Sequence, residues 1–420
     1  SVSMKFSNQS ENLMEVFMKY FKKYLKKKDA LQQKGFDKIM KKFYKEIKAS
    51  EKNVKKLFIS NKVKVNIQET ENFTQIVQSS LLNSTYVPIE INTFIKNNMK
   101  GIINYTTKVG SRKINLSFYI TNNSQFNELK KIETMAFRML TWLFFITPYA
   151  NKRCSKELNV FIYLTPLKKF IPNSQFTVLS NINANSGVTT SCSAIGEICL
   201  FRVEELFKVF IHETFHILGL DFSNMSNTII NRKMKLQFPI NSKFNLYEAY
   251  TEFWAVIMNC TFTAYYMCEN SVTDFLIYLE FCIAFEEYFS LFQCVKILKF
   301  MGLNYRYLHG KDNLSVRARK YLYKENTNIF AYYVIKTILL FNNYNFLMWC
   351  KRNNTNIINF EKTKGNLNKF YHFIVNHYKE VNFVNAINNM EDDYNQIKAG
   401  DDESKNHTMN TMRMTIIEIV

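Results

Sequence analysis

Glycine and proline are scarce, ten and five in 420 residues. That excludes a collagenous chain and argues against a loop-rich all-β protein. Arginine is absent from the first 65 residues. None of the eight cysteines (154, 192, 199, 260, 268, 282, 294 and 350) forms a CxxC pair, and several lie in apolar helical runs. This is the pattern of reduced, buried thiols in an intracellular setting. The first 20 residues contain no continuous apolar run, so a secretion signal is not expected. A membrane span is not expected either. The best candidate, Thr134 to Ala150, contains Arg138 and Pro148 and is shorter than the about 20 residues a span needs, so it reads as a buried helix. The apolar stretch from Phe275 to Phe300 is broken by Glu280, Glu286 and Glu287.

Apolar residues make up 47% of the chain, enough for a sizeable core. The net charge of +20 is unevenly placed: residues 1–65 hold 18 lysines and 6 acids, hence +12 of it. Val16, Phe17, Tyr20, Phe21, Tyr24 and Leu25, then Ile39, Met40, Phe43 and Ile47, fall at helical spacing. With Gly35 as the break, they predict a basic helical hairpin with one apolar seam. Its outer face suits electrostatic contact with nucleic acid, an anionic membrane or an acidic protein, or else a solvated surface. Lysine without arginine favours loose electrostatics over base or phosphate readout.

Residues 66–202 read as an α/β lobe. Ile114 to Tyr119, Leu158 to Leu164 and the GEICLF run ending at Phe201 are strand-like, with a helix over 126–146 between the first two. Residues 203–390 read as nearly all helix, over 203–219, 244–268, 271–300, 327–342 and 367–379. Residues 391–420 open polar and acidic and read as a flexible tail. The fold class expected is α+β: a mixed α/β lobe with a small sheet, followed by a mainly α-helical lobe.

Two of only six histidines occur in His212-Glu213-Thr214-Phe215-His216. Leu206, Val209, Phe210, Ile217 and Leu218 make this segment an amphipathic helix, with Glu204 and Glu205 suited to its first turn. Residues i and i+4 share a face. His212 and His216 can therefore bind one Zn²⁺, while Glu213 beside them takes a proton from metal-held water and passes it to a leaving amine. A catalytic zinc wants a third protein ligand and an open position.

HETFHILGLDFS resembles the metzincin motif HExxHxxGxxH, with Gly219 as its turn glycine. Phe222 stands where the third histidine would be, Asp221 is one residue off register, and Met225 follows too closely for a Met-turn. Downstream, Glu248-Ala-Tyr-Thr-Glu252 resembles the second zinc helix of the gluzincins, the thermolysin-like peptidases. That resemblance covers roughly residues 190–260. It implies Glu248 as third zinc ligand and Glu252 as second-shell partner of His212 or His216. It also implies an active-site cleft between the two lobes, a substrate-side edge strand within Gly187 to Phe201, and an oxyanion-stabilising Tyr or His. Tyr332, Tyr333, His309, His372 and His377 are the candidates. The function implied is an intracellular zinc metallopeptidase acting on a peptide or protein substrate. The alternative is an inactive structural or interaction protein that keeps the fold, for example a virion or scaffold component. A composition rich in residues with A/T-rich codons fits a large DNA virus or a parasite.

Overall fold

The computed structural model of the protein describes residues 5–24, 29–70, 72–121, 129–400 and 403–420, with side chains omitted at 403 and 404. Leu25, residues 126–128 of the first expected helix and residues 401–402 of the expected tail lie outside these. The architecture is α+β, in two units: residues 40–168 with 185–221, and residues 1–39 with 169–184 and 222–420.

The first unit is built on a six-stranded sheet of order β1-β2-β3-β4-β6-β5. The strands are β1 Lys64–Glu69, β2 Gly101–Val109, β3 Arg112–Ile120, β4 Glu157–Tyr163, β5 Gly187–Thr189 and β6 Ile195–Leu200. β3, β4 and β6 correspond to the three strands expected from sequence, with Leu164 and Phe201 falling just past the ends of β4 and β6. β1 and β2 were not expected. β1 is exposed along its whole length; Val65 and Ile67 do alternate with polar residues, a short period-2 signal that the sequence reading did not use. β2 joins β3 through Gly110, which takes φ +60, and pairs with it from Gly101↔Ile120 to Val109↔Arg112 as a two-residue hairpin. β3 and β4 run parallel, which needs a crossover. Helix Leu129–Ile146 supplies it. Arg138 within it is 3% exposed and lies 5.6 Å from the Phe207 ring centre, so the helix is buried with its charge against an aromatic ring. Among the described residues, no helix is long and apolar enough to cross a membrane.

Cys154 and Cys192 form a disulfide, a correction to the expectation of reduced cysteine throughout. It ties the lead-in to β4 to the β5–β6 loop. The other six cysteines form no disulfide, and all are buried except the partly exposed Cys268. Closing a loop of this length stabilises the fold by about 2–4 kcal/mol. Cys192→Ser, or reduction of the parent, is expected to lower the denaturant midpoint accordingly. An unchanged midpoint, with eight titratable thiols in the untreated protein, would remove the bridge.

The second unit is helical. Helices Leu246–Met267 and Val272–Phe300 pack side by side. Phe17 of helix Asn8–Tyr24 sits 4.8 Å from Phe292 and Phe21 sits 4.0 Å from Phe285, ring centre to ring centre. Gly35 is not a break: helix Ala30–Ile59 runs through it. A Cβ there would come 3.0 Å from Met348 Sδ, so the glycine serves close helix packing. The expected helix over 327–342 is a π-helical turn, Phe330–Ile335, leading into Lys336–Phe341. The helices expected over 244–268, 271–300 and 367–379 are Leu246–Met267, Val272–Phe300 and Lys364–His377.

The expected flexible tail is also corrected. Helices Val381–Ala399 and Glu403–Asn410 occupy its first part. Met412, Met414, Ile416, Ile417 and Ile419 are then buried. Side chains of the helices grip this last segment by its backbone. Tyr333 Oη donates to Met412 O at 2.6 Å, Lys336 Nζ to Met414 O at 3.0 Å, and Asn259 Nδ2 to Ile417 O at 2.8 Å. Gln293 Nε2 donates to Thr411 O at 3.1 Å and to Arg413 O at 2.6 Å. Lys296 Nζ donates to Thr408 O at 2.8 Å, and burial holds this amine well below the usual lysine range. Glu286 accepts from Ile416 N at 3.0 Å, from Ile417 N at 2.8 Å and from the Thr415 hydroxyl.

Candidate metal centre

Helix Leu206–Ile217 carries the two histidines and falls in the unit that holds the sheet. Its rotation is fixed from behind. Trp142 Nε1, on the crossover helix, donates to Thr214 Oγ1 at 2.8 Å, and the Trp142 and Phe215 rings stack at 6.3 Å. Thr214 lies opposite the midpoint of His212 and His216 on the helical wheel, so this anchor turns both histidines the other way. β6 comes close on the helix end: a Cβ on Gly196 would meet Ile217 Cδ1 at 2.6 Å. Glu205, just before the first turn, takes φ +61.

His212 Nε2 and His216 Nε2 are 3.1 Å apart. His216 Nδ1 is 2.5 Å from Asp221 Oδ2, and Asp221 is 1% exposed. The chain returns to His216 because the helix ends on Gly219 at φ +65. Leu220 N donates back to Phe215 O at 2.9 Å, a glycine C-cap. Thus the glycine that suggested a metzincin turn delivers a carboxylate to the back of His216. Such a partner keeps the Nδ1 proton, leaving the Nε2 lone pair directed at His212.

Glu213 is 6% exposed and lies against β5, the sheet edge. A Cβ on Gly187 would come 2.9 Å from Glu213 Oε1 and 3.0 Å from its Cγ. Glycine is therefore what lets the strand and this carboxylate approach. Arg202 fixes the entry to β5: Nε donates to Asn185 O and Nη1 to Leu167 O, both at 3.0 Å. Burial lowers its guanidinium to about 10.

In the helical unit, Glu248 lies in the first turn of Leu246–Met267. Phe244 and Asn245 before it take φ +61 and +39, a left-handed pair uncommon outside glycine and costing about 1–3 kcal/mol each. Tyr332 Oη donates to Glu248 Oε2 at 3.0 Å. The π-helical turn bearing Tyr332 is held at its start by Glu325, which accepts from Phe330 N and Tyr323 Oη, each at 2.8 Å. π-turns of this kind recur at functional sites. Glu252, one turn on from Glu248, is 1% exposed. Phe222 is buried beside Phe360 at 4.4 Å and Tyr247 at 6.2 Å, ring to ring, so its side chain is used for packing.

The other oxyanion candidates have different surroundings. Tyr333 holds Met412, His377 Nδ1 faces Phe373 O at 2.7 Å, and His372 packs against Tyr371. His309 sits among Phe238, Tyr305 and Tyr378, and burial lowers it to about 4.

Among the described residues, one group of three or more His, Cys, Asp or Glu side chains is placed to hold a metal ion: His212, His216 and Glu248. One ligand atom from each lies within 4.8 Å of the others. Two imidazole nitrogens bound to a tetrahedral zinc at about 2.0–2.1 Å stand about 3.3 Å apart, close to the 3.1 Å found. The donor set of two nitrogens and a carboxylate oxygen suits zinc. Sequence reasoning had named all three members of this group. It missed Asp221 as the partner of His216, which the glycine C-cap could have signalled. It also could not single out Tyr332.

The chain is 32% identical over 124 residues to an uncharacterized protein of Acanthamoeba polyphaga mimivirus, covering 30% of this chain and 31% of that one. It thus spans about a third of the relative it matches. No family model matches the chain, and no solved structure matches it.

Proposed function

We propose that the protein is a zinc-dependent metallopeptidase, with zinc held by His212, His216 and Glu248. The observation that carries this reading is the convergence of these three side chains, with Glu213 on the same helix as two of them. When bound, zinc lowers the pKa of water and polarises a scissile carbonyl. The chain's own residues do the rest. Glu213 accepts the proton of the attacking water and hands it to the leaving amine. Asp221 holds His216 in the tautomer that leaves Nε2 as a ligand atom, and Glu252 is assigned the same duty for a ligand histidine. Tyr332, already on the Glu248 carboxylate, is the donor assigned to the developing oxyanion. β5 is the sheet edge where an extended peptide backbone adds as a further strand, and Gly187 lets that strand lie close to Glu213.

A structural zinc is closed by a fourth protein ligand. Among the described residues the group has three members, which supports the catalytic reading over an inert staple. Protein purified without chelator is expected to carry about one zinc per chain, and His216→Ala to lose it. Asp221→Ala should weaken zinc affinity by about 10–100-fold. Metal-free parent protein, or full zinc content in His216→Ala, would sink the assignment.

A further inference from the structure

The basic segment takes no part in the metal centre. Between Lys41 and Ile59, helix Ala30–Ile59 is sharply two-sided. Phe43, Ile47 and Val54 are fully buried. Phe43 meets Phe145 edge-on at 5.5 Å, and Tyr149 Oη donates to Glu46 at 2.6 Å. The opposite side is lysine. Lys41, Lys45, Lys48, Lys52 and Lys56 are all exposed. At about 100° and 1.5 Å per residue they fall within an arc of about 80° and a length of about 22 Å. Lys42 and Lys55 flank this ridge and pair with Glu46 and Glu51 at 3.6 and 2.9 Å. The acids of this stretch therefore sit beside the ridge and leave its crest cationic.

We infer that this lysine ridge docks on the phosphate backbone of nucleic acid, without reading sequence. Charge complementarity names a polyanion, and two observations choose among polyanions. First, the helix's apolar face is buried in the unit's own core, so it cannot enter a lipid interface. Ile59, 83% exposed at the helix end, is one aliphatic side chain, and stable membrane anchoring takes a second signal beyond a basic patch. Phosphate contacts alone suffice for non-specific nucleic-acid binding. Second, the ridge holds no arginine for bidentate base contacts and no aromatic for base stacking, which limits it to the backbone.

The test is binding of the full chain to a random-sequence DNA duplex, read by fluorescence anisotropy across a salt series. Five phosphate contacts give a log–log slope of about −4.5, a loss of about 500-fold between roughly 50 and 200 mM salt. Joint Lys41→Gln, Lys45→Gln, Lys48→Gln and Lys52→Gln substitution should flatten the slope by about 3.6, with zinc content and the circular dichroism spectrum unchanged. Three results overturn the inference: no duplex binding at low salt, an unaltered slope in the fourfold variant, or ridge-dependent binding to phosphatidylserine-rich vesicles with none to the duplex.

Discussion

Glu213→Gln is expected to keep about one zinc per chain and to lose peptide hydrolysis by about 10²–10⁴-fold, the usual contribution of a positioned general base. The amide fills the carboxylate's space but cannot take the proton, so the loss falls on turnover. Gly187→Ala probes the same group from the strand side. Its Cβ would arrive 2.9 Å from Glu213 Oε1, so either the carboxylate or β5 must shift. Turnover should fall while zinc stays bound. Undiminished turnover in Glu213→Gln would remove this residue from the mechanism. Undiminished turnover in Gly187→Ala alone would instead show that the strand yields at no cost.

The largest stability effect is expected within the helical unit, at Glu286. This fully buried carboxylate accepts two backbone N–H groups of the last segment, Ile416 and Ile417. Glu286→Ala leaves both donors buried without their acceptor and opens a cavity. A loss of about 3–5 kcal/mol is the expected outcome, read from the denaturant midpoint. Hydrogen exchange within residues 411–420 should accelerate with it. Glu286→Gln keeps an acceptor oxygen and should recover part of the loss. If Glu286→Ala leaves the exchange rates of 411–420 unchanged, the carboxylate is not what holds the segment.

The His212, His216 and Glu248 group was legible because its pattern is local. An i,i+4 histidine pair needs only a helix, and Glu248 with Glu252 stands among Tyr247, Tyr250, Phe253 and Trp254, a neighbourhood that signals enclosure. What escaped depends on the chain's return path or on distant pairing. Asp221 reads as a histidine one residue out of place until Gly219 is seen to end the helix at positive φ and fold the chain back. Cys154 and Cys192 are 38 residues apart, and spacing alone does not pair cysteines. Gly35 looked like a turn because glycine breaks isolated helices, whereas tertiary packing against Met348 overrides that preference. The closing segment did carry a signal. Met412, Met414 and Ile416 alternate with polar residues as a strand does, but the acidic stretch before them coloured the reading of the whole region.

That closing segment has a kinetic meaning as well. Ser7 bonds to Glu418 across 411 residues of chain, side chain to side chain at 3.2 Å, so the helical unit brings together the most distant parts of its sequence. Such contacts meet the loop-closure cost before any reward and slow folding. On the ribosome, residues 411–420 emerge after every side chain that will grip them. Until then Asn259, Glu286, Gln293, Lys296 and Lys336 do not have these backbone groups to bond to. Residues 411–420 can add their contacts to the helical unit only after its helices have been synthesised.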